Sequence, residues 1–109
     1  MVEKDRQQSW SEFLDKKREN KLFVRFVFSQ DFKEVEEFAV IYLIIFEDEE
    51  KEVIRYDCSK KEAINVHKFF YKQAKKTYLN KDKSFETLEE FIKDIRENWG
   101  IYRSRFFER

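Results

Sequence analysis

Proline is absent from the 109 residues, glycine occurs once (Gly100), cysteine once (Cys58) and histidine once (His67). With one cysteine there is no internal disulfide and no multi-cysteine metal centre, and the residue suits a reducing compartment. A single histidine leaves no His-rich metal set, so neither a metal nor any other cofactor is expected. The longest apolar run, Phe38 to Phe46, falls far short of the ~20 residues a membrane span needs. The opening MVEKDRQQSW lacks the apolar core of a signal peptide. The expectation is a cytoplasmic protein with no membrane attachment. Linkers rich in Gly, Ser or Pro, internal repeats and low-complexity tracts are also missing, so residues 1–109 read as a single α+β domain.

Bulk and charge are both plentiful. Hydrophobic residues make up 41% of the chain and aromatics 18%, including 13 Phe, which is enough to build a core. Charged residues reach 42% with 23 of each sign, so the net charge is zero and the overall basic signature of a nucleic-acid binder is missing. A composition rich in Lys and Glu suits a thermophile, because the desolvation cost of ion pairs falls with temperature. The charge is unevenly spread: residues 31–52 are mostly acidic, and residues 60–83 carry lysines 60, 61, 68, 72, 75, 76, 81 and 83 against Glu62 and Asp82.

Periodicity supplies the elements. SWSEFLDKKRENK (9–21) places Trp10, Phe13 and Leu14 at helical spacing after Ser9 or Ser11 as a cap, which predicts a short amphipathic helix. KLFVRFVF (21–28) alternates, with Leu22, Val24, Phe26 and Phe28 on one face and Arg25 on the other, and reads as a strand. FAVIYLIIF (38–46) is apolar on both faces, as a central strand should be. After the charged turn EDEEKE, residues 52–58 return as a third strand of an antiparallel meander. Residues 60–79 admit two readings. SKKE (59–62) matches a capping box, and Ala63, Val66, His67, Phe70 and Ala74 fall at helical spacing. INVHKFFY is nonetheless dense in β-branched and aromatic residues that pack well on sheets, which favours a fourth strand and a short fifth near 76–79. From Ser84 onward, Leu88, Ile92, Ile95, Trp99, Tyr102 and Phe106 draw one stripe down a long C-terminal helix that continues through Gly100. Four to five strands covered by that helix and a short N-terminal helix are therefore expected.

The chemistry gathers in VIRYDCSKKEAINVHKFF (53–70). If both segments are strands, alternation sets Val53, Arg55 and Asp57 on one face of the third and Asn65, His67 and Phe69 on one face of the fourth. Pairing Asp57 with Asn65 or Ala63 would then bring the polar groups together, with Tyr56 turned to the core. Histidine exchanges protons near neutrality, and arginine binds phosphate and stabilises the charge that builds during its transfer. Arg55, Asp57 and His67 thus form a candidate catalytic set for metal-independent RNA cleavage. Asn65, Lys68, Lys72, Lys75 and Lys76 are candidates for holding the strand. The plainer readings are a local Arg55–Asp57 salt bridge, a structural histidine, a packing cysteine and a solvated lysine face.

Leu22 to Phe107 resembles the TumE-type toxins of prokaryotic toxin–antitoxin modules. The residues that carry the likeness are a long apolar strand, an acidic turn, the Arg55-Tyr56-Asp57 core, a histidine about ten residues later, a Ser-initiated helix and an aromatic NW…YR end. His67 matches the second histidine of that group's His-x-His element, while Asn65 stands for the first and Cys58 follows the Asp where Asn is common. A two-histidine acid/base pair is therefore not available. The resemblance implies a growth-inhibiting intracellular protein paired with a cognate antitoxin. Two alternatives stand beside it. One is a non-catalytic interaction module that binds a partner or a second copy through the C-terminal helix, whose RSRFFER tail would also offer arginines to phosphate. The other is a nucleic-acid binder using the lysines and exposed aromatics such as Phe69 and Tyr71.

Overall fold

The computed structural model describes residues 5–73 and 76–109. Among the described residues six strands follow one another as β1 (Gln7–Phe13), β2 (Asn20–Phe28), β3 (Val35–Phe46), β4 (Glu49–Cys58), β5 (Asn65–Lys68) and β6 (Lys76–Tyr78), and a single helix α1 (Phe85–Glu108) comes last. The strands lie in one antiparallel sheet in sequence order.

Alternation decides the two faces. Leu22 and Val24 of β2 sit beside Tyr42 and Val40 of β3, and these in turn beside Ile54 and Tyr56 of β4, so each side chain reinforces the same row. Leu88, Phe91, Ile95 and Phe106 of α1 join this face to complete the core. α1 packs chiefly on β3, whose run from Phe38 to Phe46 is apolar on both faces. Ser84 caps the helix by accepting a hydrogen bond from the Thr87 amide at 3.2 Å, and its carbonyl receives the Leu88 amide at 3.0 Å. The stripe runs unbroken past Gly100.

Two polar anchors, the buried Asn20 and the half-buried Asp94, fix the helix to the sheet. Asn20 accepts from the Tyr42 hydroxyl at 2.5 Å and from Arg103 at 2.9 Å, joining β2, β3 and α1. Asp94 on α1 accepts from the hydroxyls of Tyr56 (2.7 Å) and Tyr102 (2.8 Å) and from the Asn98 amide (2.9 Å). Above that bond Tyr56 stacks on Phe91, with ring centroids 4.0 Å apart and planes 2° from parallel.

One expectation is corrected and one open choice is resolved in favour of the strand. Residues 9–21 hold no helix: β1 pairs with β2 from Gln7↔Val27 to Phe13↔Lys21, and a turn follows in which the Asp15 carboxylate accepts from the Glu19 and Asn20 amides. This added strand raises the sheet to six. It is an edge strand whose residues are almost all exposed, so burial left no alternating pattern to read. Residues 59–62, which match a capping box, instead form a tight turn in which Ser59 and Glu62 exchange backbone hydrogen bonds at 3.2 Å. The β-rich composition prevails, and β5 and β6 follow.

Candidate functional site

The face of the sheet opposite α1 carries two continuous cross-strand rows. One runs Ser9, Arg25, Ala39, Asp57, Asn65, Tyr78, and the next runs Ser11, Phe23, Ile41, Arg55, His67, Lys76. No helix lies over these rows, yet Ala39 and Ile41 are buried, because their neighbours are long side chains that shade the small ones between them. Arg55, Asp57, His67, Asn65 and Lys76 therefore share one surface.

A bulge in β4 adds a residue the alternation did not predict. The β3–β4 register shifts between Tyr42 and Leu43, so that Leu43 faces Glu52 while Tyr42 faces Ile54. An extra residue turns Glu52 onto the same face as Arg55, three positions away, where an unbroken strand would hold it on the other side. Arg55 consequently sits between two carboxylates: it is ion-paired with Glu52 and lies 3.5 Å from Asp57. Its Nε is buried and has no hydrogen-bond partner among the described residues.

Beside it, β5 presents His67 directly across from Arg55, with the imidazole stacked on Phe69 at 5.9 Å and 9°. Asn65 is fully buried; its amide nitrogen donates to the carbonyls of Asp57 (3.1 Å) and Ala63 (3.0 Å) and to Glu62 (3.0 Å). Glu62 also holds Lys76 at 2.8 Å. The hydrogen bond from Lys76 draws the Glu62 carboxyl below its ordinary range, and the same bond raises the Lys76 ammonium. Burial raises the Cys58 thiol, which turns to the core in the manner of a packing residue rather than a nucleophile.

The remaining expected residues lie elsewhere. Lys68 pairs with Ile54 and so stands on the helix side of the sheet, away from His67; the one-residue step that separates them is what reverses its face. Lys72 is exposed in the turn after β5, and Lys75 lies outside the described residues. Arg25, not singled out as a site residue from sequence, belongs to the same row as Asp57 and makes no ion pair among the described residues. Its place off the core face was already visible in the alternation of β2. Glu52 had no such signal, because a bulge leaves none in a single sequence.

In chemical terms the face offers the exposed ring of Tyr78 and the half-buried rings of Phe23 and Phe69, a guanidinium on Arg25 that makes no ion pair among the described residues, and a histidine beside an arginine already ion-paired with carboxylates. Among the described residues no group of three or more His, Cys, Asp or Glu side chains is arranged to hold a metal ion, and no helix is long and apolar enough to cross a membrane. Neither curated proteins nor solved structures yield a match to the chain. Over residues 2–109 it matches a domain of unknown function, DUF7718, and it belongs to that family.

Proposed function

We propose that the uncovered sheet face binds single-stranded RNA and cleaves it without a metal, as the toxin component of a toxin–antitoxin module. The supporting observation is the pair of cross-strand rows that sets His67 opposite Arg55 between aromatic side chains. Unpaired bases stack on exposed rings without regard to sequence, and a sheet face is a recurrent platform for them.

In the proposed reaction neutral His67 takes the proton of a 2′-hydroxyl, whose oxygen bonds to the adjacent phosphorus. The P–O5′ bond breaks and the 5′ oxygen leaves with a proton from solvent, giving a 2′,3′-cyclic phosphate and a 5′-hydroxyl. His67 then returns its proton to solvent. Arg55 exchanges Glu52 for the phosphate and neutralises the charge that builds there, while Asp57 keeps the guanidinium aimed. The likeness of Arg55-Tyr56-Asp57 and His67 to the TumE-type pattern supports the same reading.

Expression of the wild type should arrest growth and degrade RNA, and co-expression of the neighbouring gene, as antitoxin, should relieve both. His67→Ala should abolish toxicity while the circular dichroism spectrum stays native. An alanine variant as toxic as the wild type would falsify the site.

A second reading, a protein-interaction module acting through the C-terminal helix, has its own observation. Phe107 and Phe46 are roughly half exposed and touch each other at 5.7 Å, leaving an apolar pair at one end of the molecule. Loss of co-purification of the neighbouring gene product with Phe107→Ser, but not with His67→Ala, would favour it.

A further inference from the structure

β1 leaves one long edge of the sheet open. It pairs with β2 alone, and no strand lies along its outer side among the described residues. The Phe28 amide donates to the Arg6 carbonyl and the Leu14 amide to the Asn20 carbonyl, both at 2.8 Å, and these bonds bracket a register without a shift. In an antiparallel ladder bonded pairs alternate, so Gln8, Trp10 and Glu12 direct their backbone groups to β2, while Gln7, Ser9, Ser11 and Phe13 turn theirs outward. Asp5 takes the Gln7 amide at 2.9 Å, which leaves the amides of Ser9, Ser11 and Phe13 facing away from the sheet.

Edge strands that stay free in solution are blunted by shortness, proline, lysine or a bulge. β1 has none of these: it runs for seven residues, QQSWSEF, in unbroken register. Glu12 is its one charged residue, in a chain that is 42% charged, and Arg96 holds it at 2.7 Å. Loss of charge around an exposed aromatic side chain is the composition of an interface centre rather than of a solvated edge. Trp10, at the midpoint of the strand, is 36% exposed, and Arg96 lies 5.6 Å from its ring. Beside that ring is a cleft of about 530 Å³, where Ile92 adds an apolar wall and Glu89, Lys93, Arg96 and Glu97 supply two charges of each sign.

We infer that β1 pairs with β1 of a second copy of this chain, antiparallel about a two-fold axis through Trp10. This register engages all seven residues. It sets Trp10 against Trp10 of the second copy on the helix side, Gln8 against Glu12 on that same side, and Ser9 against Ser11 on the open face, so no like charges meet. With the Gln7 amide left to Asp5, the outward groups form about six backbone hydrogen bonds across the axis. A second copy is favoured over head-to-tail addition because β6, the opposite edge, offers three residues, which would leave half of β1 unpaired and the assembly open-ended. The balanced charges of the cleft suit a copy of itself and disfavour a polyanion. An edge ~23 Å long and ~20 Å deep through sheet and helix gives on the order of 500 Å² per copy, the low end for a specific interface, so the dimer dissociates at about 10–100 µM.

Neither RNA nor His67 enters the test, so its result is independent of the cleavage reading. Sedimentation velocity of the full chain from about 5 to about 500 µM should show a monomer giving way to a dimer. Ser11→Pro removes an outward amide and keeps the ladder to β2, so the circular dichroism spectrum should stay native while the dissociation constant rises about 100-fold, two hydrogen bonds being lost across the axis. Trp10→Lys sets like charges opposite each other on the axis and should weaken the dimer by a similar factor. Phe107→Ser leaves β1 intact and should associate as the wild type does. A chain that stays monomeric at the highest concentration would overturn the assignment and leave the edge to a strand of another protein. So would a dimer that natively folded Ser11→Pro or Trp10→Lys leaves unchanged, or one that Phe107→Ser abolishes.

Discussion

At the scale of single residues, the most consequential polar group outside the open face is Asp94, because three donors from two elements converge on it. Burial, reinforced by the hydrogen bond to Asp94, raises the Tyr56 hydroxyl far above its ordinary range, and burial likewise raises Tyr102 to about 12. Both remain protonated donors wherever the protein functions. Tyr56→Phe removes one hydrogen bond to a carboxylate while keeping the stack on Phe91, so it should cost about 2 kcal/mol near neutral pH in urea unfolding. The pH dependence has a definite sign. A folded-state pKa above the unfolded value means the native state holds the proton more tightly, so the contribution is complete below the unfolded value of 10.0 and is lost as pH rises beyond it. Unfolding curves measured at successive pH values should show the gap between wild type and Tyr56→Phe narrowing above pH ~10. A gap that is constant through pH 11 would mean that the Tyr56 hydroxyl is not held as the geometry indicates.

At the scale of elements, α1 offers the plainest stability test. Gly100 is exposed in its interior, and a Cβ placed there meets nothing within 4 Å. Gly100→Ala should therefore stabilise the protein by about 1 kcal/mol through helix propensity alone, which raises the melting temperature by roughly 4 °C or more in a domain of this size. No increase would show that the glycine serves a bend the helix needs. This helix is the most legible element in the sequence, because a stripe of seven-residue period over more than five turns is a pattern that strand alternation does not produce. The central strands are nearly as clear, since β3 must be apolar on both faces where α1 and the cross-strand rows both cover it. Legibility fails where burial is slight. Across β1 and the residue after it, Trp10, Phe13 and Leu14 happen to fall at helical spacing, while the true alternation of Gln8, Trp10 and Glu12 with Ser9 and Ser11 carries almost no hydrophobic contrast. Within the candidate site, the convergence of Arg55, Asp57, Asn65 and His67 follows from period two as soon as β5 is a strand. Lys68 obeys the same rule, but a run of lysines suggests a single basic surface and hides the change of face between neighbours. Glu52 is beyond reach, because the bulge that turns it depends on long-range pairing.

At the scale of the whole molecule, charge balance shapes how the open face would meet RNA. The chain carries 23 cations and 23 anions, and the cations nearest His67 already have partners: Arg55 has Glu52 and Asp57, and Lys76 has Glu62. A phosphate arriving there replaces a carboxylate, so affinity has to come from stacking on Phe23, Phe69 and Tyr78 and from at most about three phosphate contacts, through Arg25, Arg55 and Lys76. Each contact to a single strand contributes about −0.7 to the slope of log K against log salt, which predicts a slope near −2 and a loss of roughly 10- to 20-fold between 50 and 200 mM. Fluorescence anisotropy with a labelled oligoribonucleotide and the His67→Ala variant, which binds without cleaving, measures it directly. A slope steeper than about −5 would require more lysines than the open face holds. Binding would then be assigned to the Lys60–Lys83 segment, and the cross-strand rows would lose their role as the RNA surface.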